Sequence, residues 1–219
     1  VNNFNWNEFP DEQERFENAL WAFRRGLPQR EGPDGQIWRK ISHGKVLDIF
    51  VLDCRGERRG TKYISDEQMD WLKEELQASN ARFKIMMNSV PITDYEALLQ
   101  STEADDRWQG SSEQRLEILG FIEDSVIEGV LWITGDFHMG CISKVGATGD
   151  VGSSMYEVMA GPSGSFLNPI GDFIIETEQY LLGFSQWNHT RFVCNPETGE
   201  VLVQFVGDSG DVVKEMSLL

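Results

Sequence analysis

The residue pattern with the clearest chemical potential is an aspartate and a histidine, two positions apart, directly after an apolar run. Residues 130–134 are apolar up to Thr134, the chain passes Gly135, and Asp136 and His138 follow at once. In an extended backbone, alternate side chains point the same way, so this spacing predicts that the carboxylate and the imidazole face one site. Both groups are ligands for cations such as iron, zinc, manganese or calcium. The alternative is a strand-end turn with a solvent-facing Asp136 and a packed His138.

Polar side chains also follow two other predicted strands. Asp53 and Arg55 come at the end of the strand predicted for residues 46–53, and Asn88 follows the strand predicted for residues 83–87. In open α/β sheets, ligands bind beyond the carboxyl ends of the strands, so these residues are expected near Asp136 and His138. An amide oxygen can ligate a metal, and a guanidinium can hold an anion by two hydrogen bonds. The alternatives are a turn cap for Asn88 and an ion pair with a nearby carboxylate for Arg55.

Hydrophobic periodicity and capping signals predict alternating helices and strands, hence the α/β class. Ser65 with Gln68, and Ser111 with Gln114, have the spacing of helix caps. Residues 190–194 and 201–207 are expected to form a hairpin. Helices are predicted for residues 11–25, 65–77 and 111–128, with a short helix at residues 92–100. The remaining strands are predicted at residues 37–41, 130–134 and 155–160.

Composition limits the class of protein and its partners. The 219 residues fit a single α/β domain with ample apolar material for a core. The formal net charge of −17 argues against binding a nucleic acid backbone, and no apolar run is long enough to span a membrane. The three cysteines are widely spaced, which excludes zinc ribbons and C-x-x-C redox motifs. We expect buried thiols, with Cys141 the one near enough in sequence to approach a metal.

Four segments, in order, resemble the alkaline phosphatase D (PhoD)-like metallophosphatases, which are relatives of purple acid and calcineurin-type phosphoesterases. Residues 50–55 are similar to the family's strand ending in L-D-x-R. Residues 65–88 resemble its Q-x-x-W-L helix, an S-x-A-x-(W/F)-K stretch and a strand ending in Asn. Residues 106–119 resemble D-x-W-x-G followed by E-R-x-x-L-L, with Gln114 where the family often has Glu. Residues 134–138 resemble its T-G-D-x-H metal motif.

The resemblance implies a layered α/β metallophosphatase sandwich, with mixed sheets covered by helices. It also implies a phosphoric ester hydrolase that uses two or more divalent or trivalent metal ions (Fe, Ca, Zn or Mn) and a metal-bound hydroxide. Its substrates would be phosphomonoesters or phosphodiesters, and family members are often secreted or periplasmic. Carried over by motif, Asp136 and His138 are metal ligands, Asn88 is a further ligand, and Arg55 lies near the phosphate, so Arg55 and His138 are the candidate catalytic residues.

The chain departs from the family in one large respect. The family's first metal carboxylates belong to an upstream W-D-D-H-type motif that this sequence lacks, and Asn2 and Asn3 fall just after the position of that motif. We therefore expect the carboxyl-terminal portion of a larger catalytic domain, with Asn2 and Asn3 close to the metals and the other half supplied by upstream residues or a second chain. Metal binding and hydrolysis of p-nitrophenyl phosphate by these residues alone should be weak. The alternatives are a non-catalytic interaction domain with the same sandwich, or a hydrolase of lipids or other esters.

Overall fold

The protein is described by a computed structural model that covers residues 13–27, 29–95 and 107–219. Its main element is a seven-stranded mixed sheet, whose strands are β1 (Arg39–His43), β2 (Leu47–Val51), β3 (Phe83–Met87), β4 (Val130–Thr134), β5 (Gly140–Lys144), β6 (Tyr156–Met159) and β7 (Tyr180–Phe184). The strand order is β1-β2-β3-β4-β6-β5-β7. The four strands β2, β3, β4 and β6 run parallel, β1 is antiparallel at one edge, and β5 and β7 complete the other side.

A second, three-stranded antiparallel sheet follows in the sequence, with strands β8 (Asn188–Cys194), β9 (Val201–Gly207) and β10 (Val212–Leu218). In this sheet β9 lies between β10 and β8. The turn at residues 195–199 joins β8 to β9, which confirms the expected hairpin.

The described helices are α1 (Gln13–Gly26), α2 (Asp66–Ala78) and α3 (Ser112–Asp124). Ser65 begins α2, because its side chain accepts the backbone N–H of Gln68 at 3.1 Å. This is half of the predicted capping box. The Gln68 side chain does not complete it, since Gln68 bonds instead to the backbone of Asp53 and to Glu57.

The seven-stranded sheet is packed on both faces, so alternate side chains of its inner strands are buried in two different cores. Met86 and Trp132 contact the helices α2 and α3 in one core, whereas Ile85 and Leu131 contact the three-stranded sheet in another. The order of layers is therefore helices, mixed sheet and small antiparallel sheet. Among the described residues, no helix is long and apolar enough to cross a membrane.

Two predicted helices need correction. The helix predicted for residues 111–128 is a 3-10 turn (Trp108–Ser111) followed by α3, and Ser111 makes no capping bond. Gln114 is buried and bonds to the backbone of Tyr63 and Ile64, so tertiary contacts replaced the predicted cap. Val126 is exposed and has a φ of 52°, beyond the end of α3. Residues 92–95 are not helical, and the rest of the short helix predicted for residues 92–100 lies outside the described residues.

Candidate metal site at the carboxyl ends of the parallel strands

The three neighbouring parallel strands β2, β3 and β4 end side by side. Val51 lies opposite Met87, and Met87 lies opposite Ile133, so the three carboxyl ends are in register. The pairing continues past the strands, because the backbone N–H of Asn88 donates to the carbonyl of Ile133 at 3.0 Å. The segments that begin with Asp53, Asn88 and Asp136 therefore leave the sheet at the same edge, as the order of strands predicted.

The turn after β2 directs Arg55 toward the end of β4. Oδ1 of Asp53 accepts the backbone N–H groups of Arg55 at 3.2 Å and of Gly56 at 2.6 Å. A Cβ at position 56 would lie 2.4 Å from Oδ2 of Asp53, so any larger residue there would displace the carboxylate that shapes this turn. Burial raises the pKa of the Asp53 carboxyl, and the two backbone N–H groups partly offset that rise.

Arg55 pairs with Asp136 across the edge. Nη2 of Arg55 lies 3.3 Å from Oδ1 of Asp136, and both side chains are about one-third exposed. The sequence alone left open whether Arg55 binds a carboxylate or a ligand. The structure gives Asp136 as a carboxylate partner of Arg55, while Asp53 shapes the turn through backbone bonds.

The D-x-H segment is a tight bend and not an extended strand. Asp136 has a φ of 75° and His138 a φ of 56°, both in the left-handed region that non-glycine residues rarely adopt. The expectation that an extended backbone points the two side chains the same way is therefore wrong in its geometry. Phe137 anchors the bend, because its ring packs on Tyr95 at 5.7 Å and beneath the guanidinium of Arg107 at 5.3 Å. Such strained backbone is common at functional sites.

His138 is half-buried and contacts a loop that follows β6. Its ring meets Phe166 edge to face with the centroids 4.3 Å apart, and its carbonyl accepts the backbone N–H of Asn168 at 3.0 Å. These contacts fix both the ring and the backbone of His138.

Asn88 is buried in a hydrogen-bond network that links β3 to the turn after β2. Its Oδ1 accepts the Sγ–H of Cys54 at 3.1 Å and the indole N–H of Trp108 at 3.2 Å. The pKa of Cys54 is raised to about 12, chiefly by burial, so the sulfur keeps its proton and is a donor. Within the described part of the chain, the buried Nδ2 of Asn88 has no hydrogen-bond partner. Trp108 is fully buried and stacks on Tyr63, with the ring centroids 5.2 Å apart.

A buried carboxylate holds the segment that follows Asn88. Glu157 on β6 accepts the backbone N–H groups of Ile92 at 2.8 Å and of Thr93 at 3.0 Å. Burial raises the pKa of Glu157, and hydrogen bonds from Thr93 and Ile92 lower it by less. Arg115 of α3 holds the same segment from the other side by donating to the carbonyl of Ile92 at 2.6 Å.

The donor types at this edge suit a cation. A carboxylate from Asp136 and an imidazole from His138 are ordinary ligands of borderline metals, and Asn88 adds an amide nearby in the sheet. Across residues 13–27, 29–95 and 107–219, no group of three or more His, Cys, Asp and Glu side chains is arranged to hold one ion. The described residues therefore fit part of a metal-ligand set. Asn2 and Asn3, predicted to lie close to the metals, fall outside the described residues.

Other residues that carried the family resemblance stabilise the fold. Ser79 donates its hydroxyl to Asp48 of β2 at 2.6 Å, and Nζ of the buried Lys84 donates to the carbonyl of Ala81 at 2.8 Å.

The cysteines are free, with Cys54 and Cys141 buried as expected and Cys194 half-buried. Cys141 lies beside the hydroxyl of Tyr95, at 3.8 Å.

Three residues of this region make contacts that the sequence did not predict. Cys54 and Phe166 contact candidate site residues, yet neither type by itself signals such a role. Glu57 accepts hydrogen bonds from Trp38 and from Ser65 at the start of α2, which ties the turn after β2 to the helix. The T-G-D-x-H resemblance pointed to His138 but not to its aromatic neighbour, because Phe166 lies 28 positions further along the chain (166 − 138).

The chain belongs to the PhoD-like phosphatase family, whose model matches residues 2–209. A distant relative is alkaline phosphatase D of Bacillus subtilis (strain 168), which is 26% identical over 152 residues. That alignment covers 58% of this chain and 26% of the relative.

The fold also matches a solved structure described as the structure of PhoD. The TM-score is 0.71 at 18% sequence identity, and the match covers 93% of this chain and 45% of the PhoD chain. The α/β fold is thus shared with PhoD, and this chain spans less than half the length of either relative.

Proposed function

We propose that this chain supplies part of the catalytic centre of a metal-dependent hydrolase of phosphoric monoesters or diesters. The observation that carries the proposal is the pairing of Arg55 with Asp136 at the strand edge, two residues before His138. Membership in a family of phosphatases supports the class of reaction. We also propose that the fold is a metallophosphatase sandwich of the calcineurin-like type.

The charge balance sets what the site must do. A chain of net charge −17 repels a phosphate ester, so the site needs positive charge at the point of binding. A bound divalent or trivalent cation (Fe, Ca, Zn or Mn) would supply that charge and would make a water molecule more acidic. Arg55 adds a fixed cation, and a guanidinium can donate two hydrogen bonds to a phosphoryl group.

The candidate residues have distinct roles in this scheme. Asp136 would contribute an anionic oxygen to the metal, and His138 a neutral imidazole nitrogen. Arg55 would orient Asp136 and bind the phosphoryl group. Asn88 is the third candidate ligand, and metal binding by its Oδ1 would compete with the two hydrogen bonds that this oxygen accepts.

The rest of the metal set would come from outside the described residues. We propose that residues 1–219 form a single α/β domain that corresponds to the carboxyl-terminal portion of a larger catalytic domain. The match to 45% of the PhoD chain supports this arrangement. Asn2 and Asn3, further upstream residues or a second chain would then complete the set, and turnover by this chain alone should be slow.

A manganese titration followed by nuclear magnetic resonance tests the proposal without requiring turnover. Mn²⁺ broadens signals from nearby nuclei even when binding is weak. We expect broadening centred on the backbone amides of residues 136 and 138 and on Asn88. The Asp136→Asn and His138→Asn variants should lose it, whereas Asp211→Asn, in the turn between β9 and β10, should keep it.

Hydrolysis of p-nitrophenyl phosphate and its bis-ester is measured in parallel. Metal-dependent turnover that disappears in Asp136→Asn would support the hydrolase. Specific broadening without hydrolysis, even after the upstream part of the family domain is supplied as a second chain, would favour the non-catalytic interaction domain. If Mn²⁺ broadens other signals but leaves the amide signals of residues 136 and 138 unchanged, the proposed metal site is contradicted.

A further inference from the structure

An exposed aromatic pair borders the candidate site on the side of His138. The ring of Phe166 is in contact with the His138 ring at a centroid distance of 4.3 Å, yet Phe166 is 75% exposed. Trp187 joins it, because its indole N–H donates to the carbonyl of Ser165 at 2.8 Å while the residue remains 52% exposed. Phe166 is thus exposed beside a candidate metal ligand, and the exposed Trp187 bonds to the residue that precedes Phe166, although burial of such side chains is normally favourable.

The pair is held in place by the surrounding backbone. The N–H of Asn168 donates to the carbonyl of His138 at 3.0 Å, and the hydroxyl of Ser185 donates to the carbonyl of Asn168. Asn168 also caps the 3-10 turn (Pro169–Phe173) by accepting the N–H of Ile170 at 3.1 Å. The loop that carries Phe166 is therefore fastened both to the metal-motif bend and to the segment that carries Trp187. Exposure of these rings does not come from an unanchored loop.

From this arrangement we infer that Phe166 and Trp187 form a binding subsite for an aromatic leaving group of the substrate. The inference rests on the proposed function, because a phosphoryl group bound at Asp136 and His138 would leave its ester oxygen within reach of the Phe166 ring. The phosphoryl end of such an ester meets Arg55 and the cation, and its alcohol end meets two apolar rings. The charged and apolar parts of an aryl phosphate match this division of the surface.

The strength of the effect follows from ring stacking. An aromatic pair contributes about 0.5–1.5 kcal/mol beyond area burial, which corresponds to a preference of roughly twofold to tenfold in affinity. The expected substrate class is therefore an aryl phosphate in preference to a small alkyl phosphate, with the preference carried by Phe166 and Trp187.

Phosphonates test the subsite without turnover. Phenylphosphonate and methylphosphonate carry the same phosphonate group, but only phenylphosphonate has an aromatic ring. Each compound is titrated into the full chain in the presence of Zn²⁺ while the amide signals of the protein are recorded. The indole N–H signal of Trp187, assigned with a Trp187→Phe variant, reports directly on the subsite. We expect phenylphosphonate to bind roughly twofold to tenfold more tightly and to shift that signal.

Three variants give the comparison. Phe166→Ala and Trp187→Ala should bring the affinity ratio of the two phosphonates close to one. Phe173→Ala is the matched control, because Phe173 is 77% exposed in the same loop region and should leave the ratio unchanged. Thermal melts check that each variant is folded.

The possible outcomes separate the subsite from the proposed function. Equal binding of both phosphonates near residues 136 and 138 would overturn the subsite and leave the phosphatase proposal standing. Binding of neither phosphonate near those residues would overturn both. A phenyl preference that survives Phe166→Ala and Trp187→Ala would also overturn the subsite. The subsite would also be overturned if sedimentation shows that the chain self-associates through these rings while the ratio of its affinities for the two phosphonates is unchanged in the variants.

Discussion

Nη2 of Arg55 lies 3.3 Å from Oδ1 of Asp136, although the two residues are 81 positions apart in the chain. The pair joins the turn after β2 to the bend after β4 across the end of β3. It places a fixed positive charge beside a carboxylate that is proposed to bind a cation. Arg55 and the metal would therefore compete for Asp136 and cooperate in binding a phosphate.

This competition predicts opposite effects of one substitution. Arg55→Ala should increase the affinity for Mn²⁺, because Asp136 loses a competing cation, and should decrease the affinity for phenylphosphonate. Both side chains are about one-third exposed, so a change of about twofold to fivefold is expected in each direction. Mn²⁺ broadening and phosphonate titrations measure the two affinities. Arg191→Ala, on the small sheet, is the control, and a parallel loss of both affinities would contradict this reading of the pair.

A second prediction separates folding from metal binding at His138. Its φ of 56° favours residues that tolerate the left-handed region, such as Asn, and disfavours β-branched residues. His138→Asn should lose Mn²⁺ broadening while remaining folded, whereas His138→Val should cost about 1–2 kcal/mol more in the free energy of unfolding. Urea denaturation measures the difference. Equal stability of the two variants would show that the bend adapts to any side chain.

The acceptor role of Asn88 predicts a loss of stability. Asn88→Ala would leave two buried donors, the Trp108 indole N–H and the Cys54 thiol, without their acceptor. We expect a cost of about 1–3 kcal/mol in urea denaturation. Trp108→Phe should lower the free energy of unfolding by less in the Asn88→Ala background than in the parent chain. The reason is that the Trp108 indole N–H has already lost its acceptor in that background. Asn80→Ala, at an exposed position, serves as the control, and additive effects of Asn88→Ala and Trp108→Phe would argue against the network.

Glu157 predicts how stability depends on pH. Burial raises its folded-state pKa above the ordinary value of 4.5, so the folded chain binds this proton more tightly than the unfolded chain does. The contribution of Glu157 to stability is therefore fully present below pH 4.5 and is lost as the pH rises through the raised folded-state value. In Glu157→Gln this part of the pH dependence should disappear.

Two further measurements test the same residue. At neutral pH, Glu157→Gln should cost about 1–3 kcal/mol, because an amide offers one acceptor to the backbone N–H groups of Ile92 and Thr93. Denaturation across a pH series compares it with the parent chain and with Glu113→Gln, an exposed position in α3. An unchanged pH profile in Glu157→Gln would mean that Glu157 does not titrate differently on folding.

The sequence by itself determined the α/β class and the sheet edge at which the candidate site residues lie. The bounds of β3, β4 and β9 agree with the predicted strands, because apolar alternation and uninterrupted apolar runs are local signals of burial. Ser65 marked the start of α2 through a contact three residues away. The rule that parallel strands present their carboxyl ends together was enough to gather Arg55, Asn88 and Asp136 at one edge.

Only the tertiary structure decided what these side chains contact. The pairing of Arg55 with Asp136, the use of Gln114 as a backbone partner and the contact of Phe166 with His138 all join segments that are distant in sequence. The left-handed bend at Asp136 and His138 is stabilised by packing of Phe137 in a core that no local pattern reveals. Local periodicity encodes which face of an element is buried, whereas the partners on that face depend on how distant elements pack.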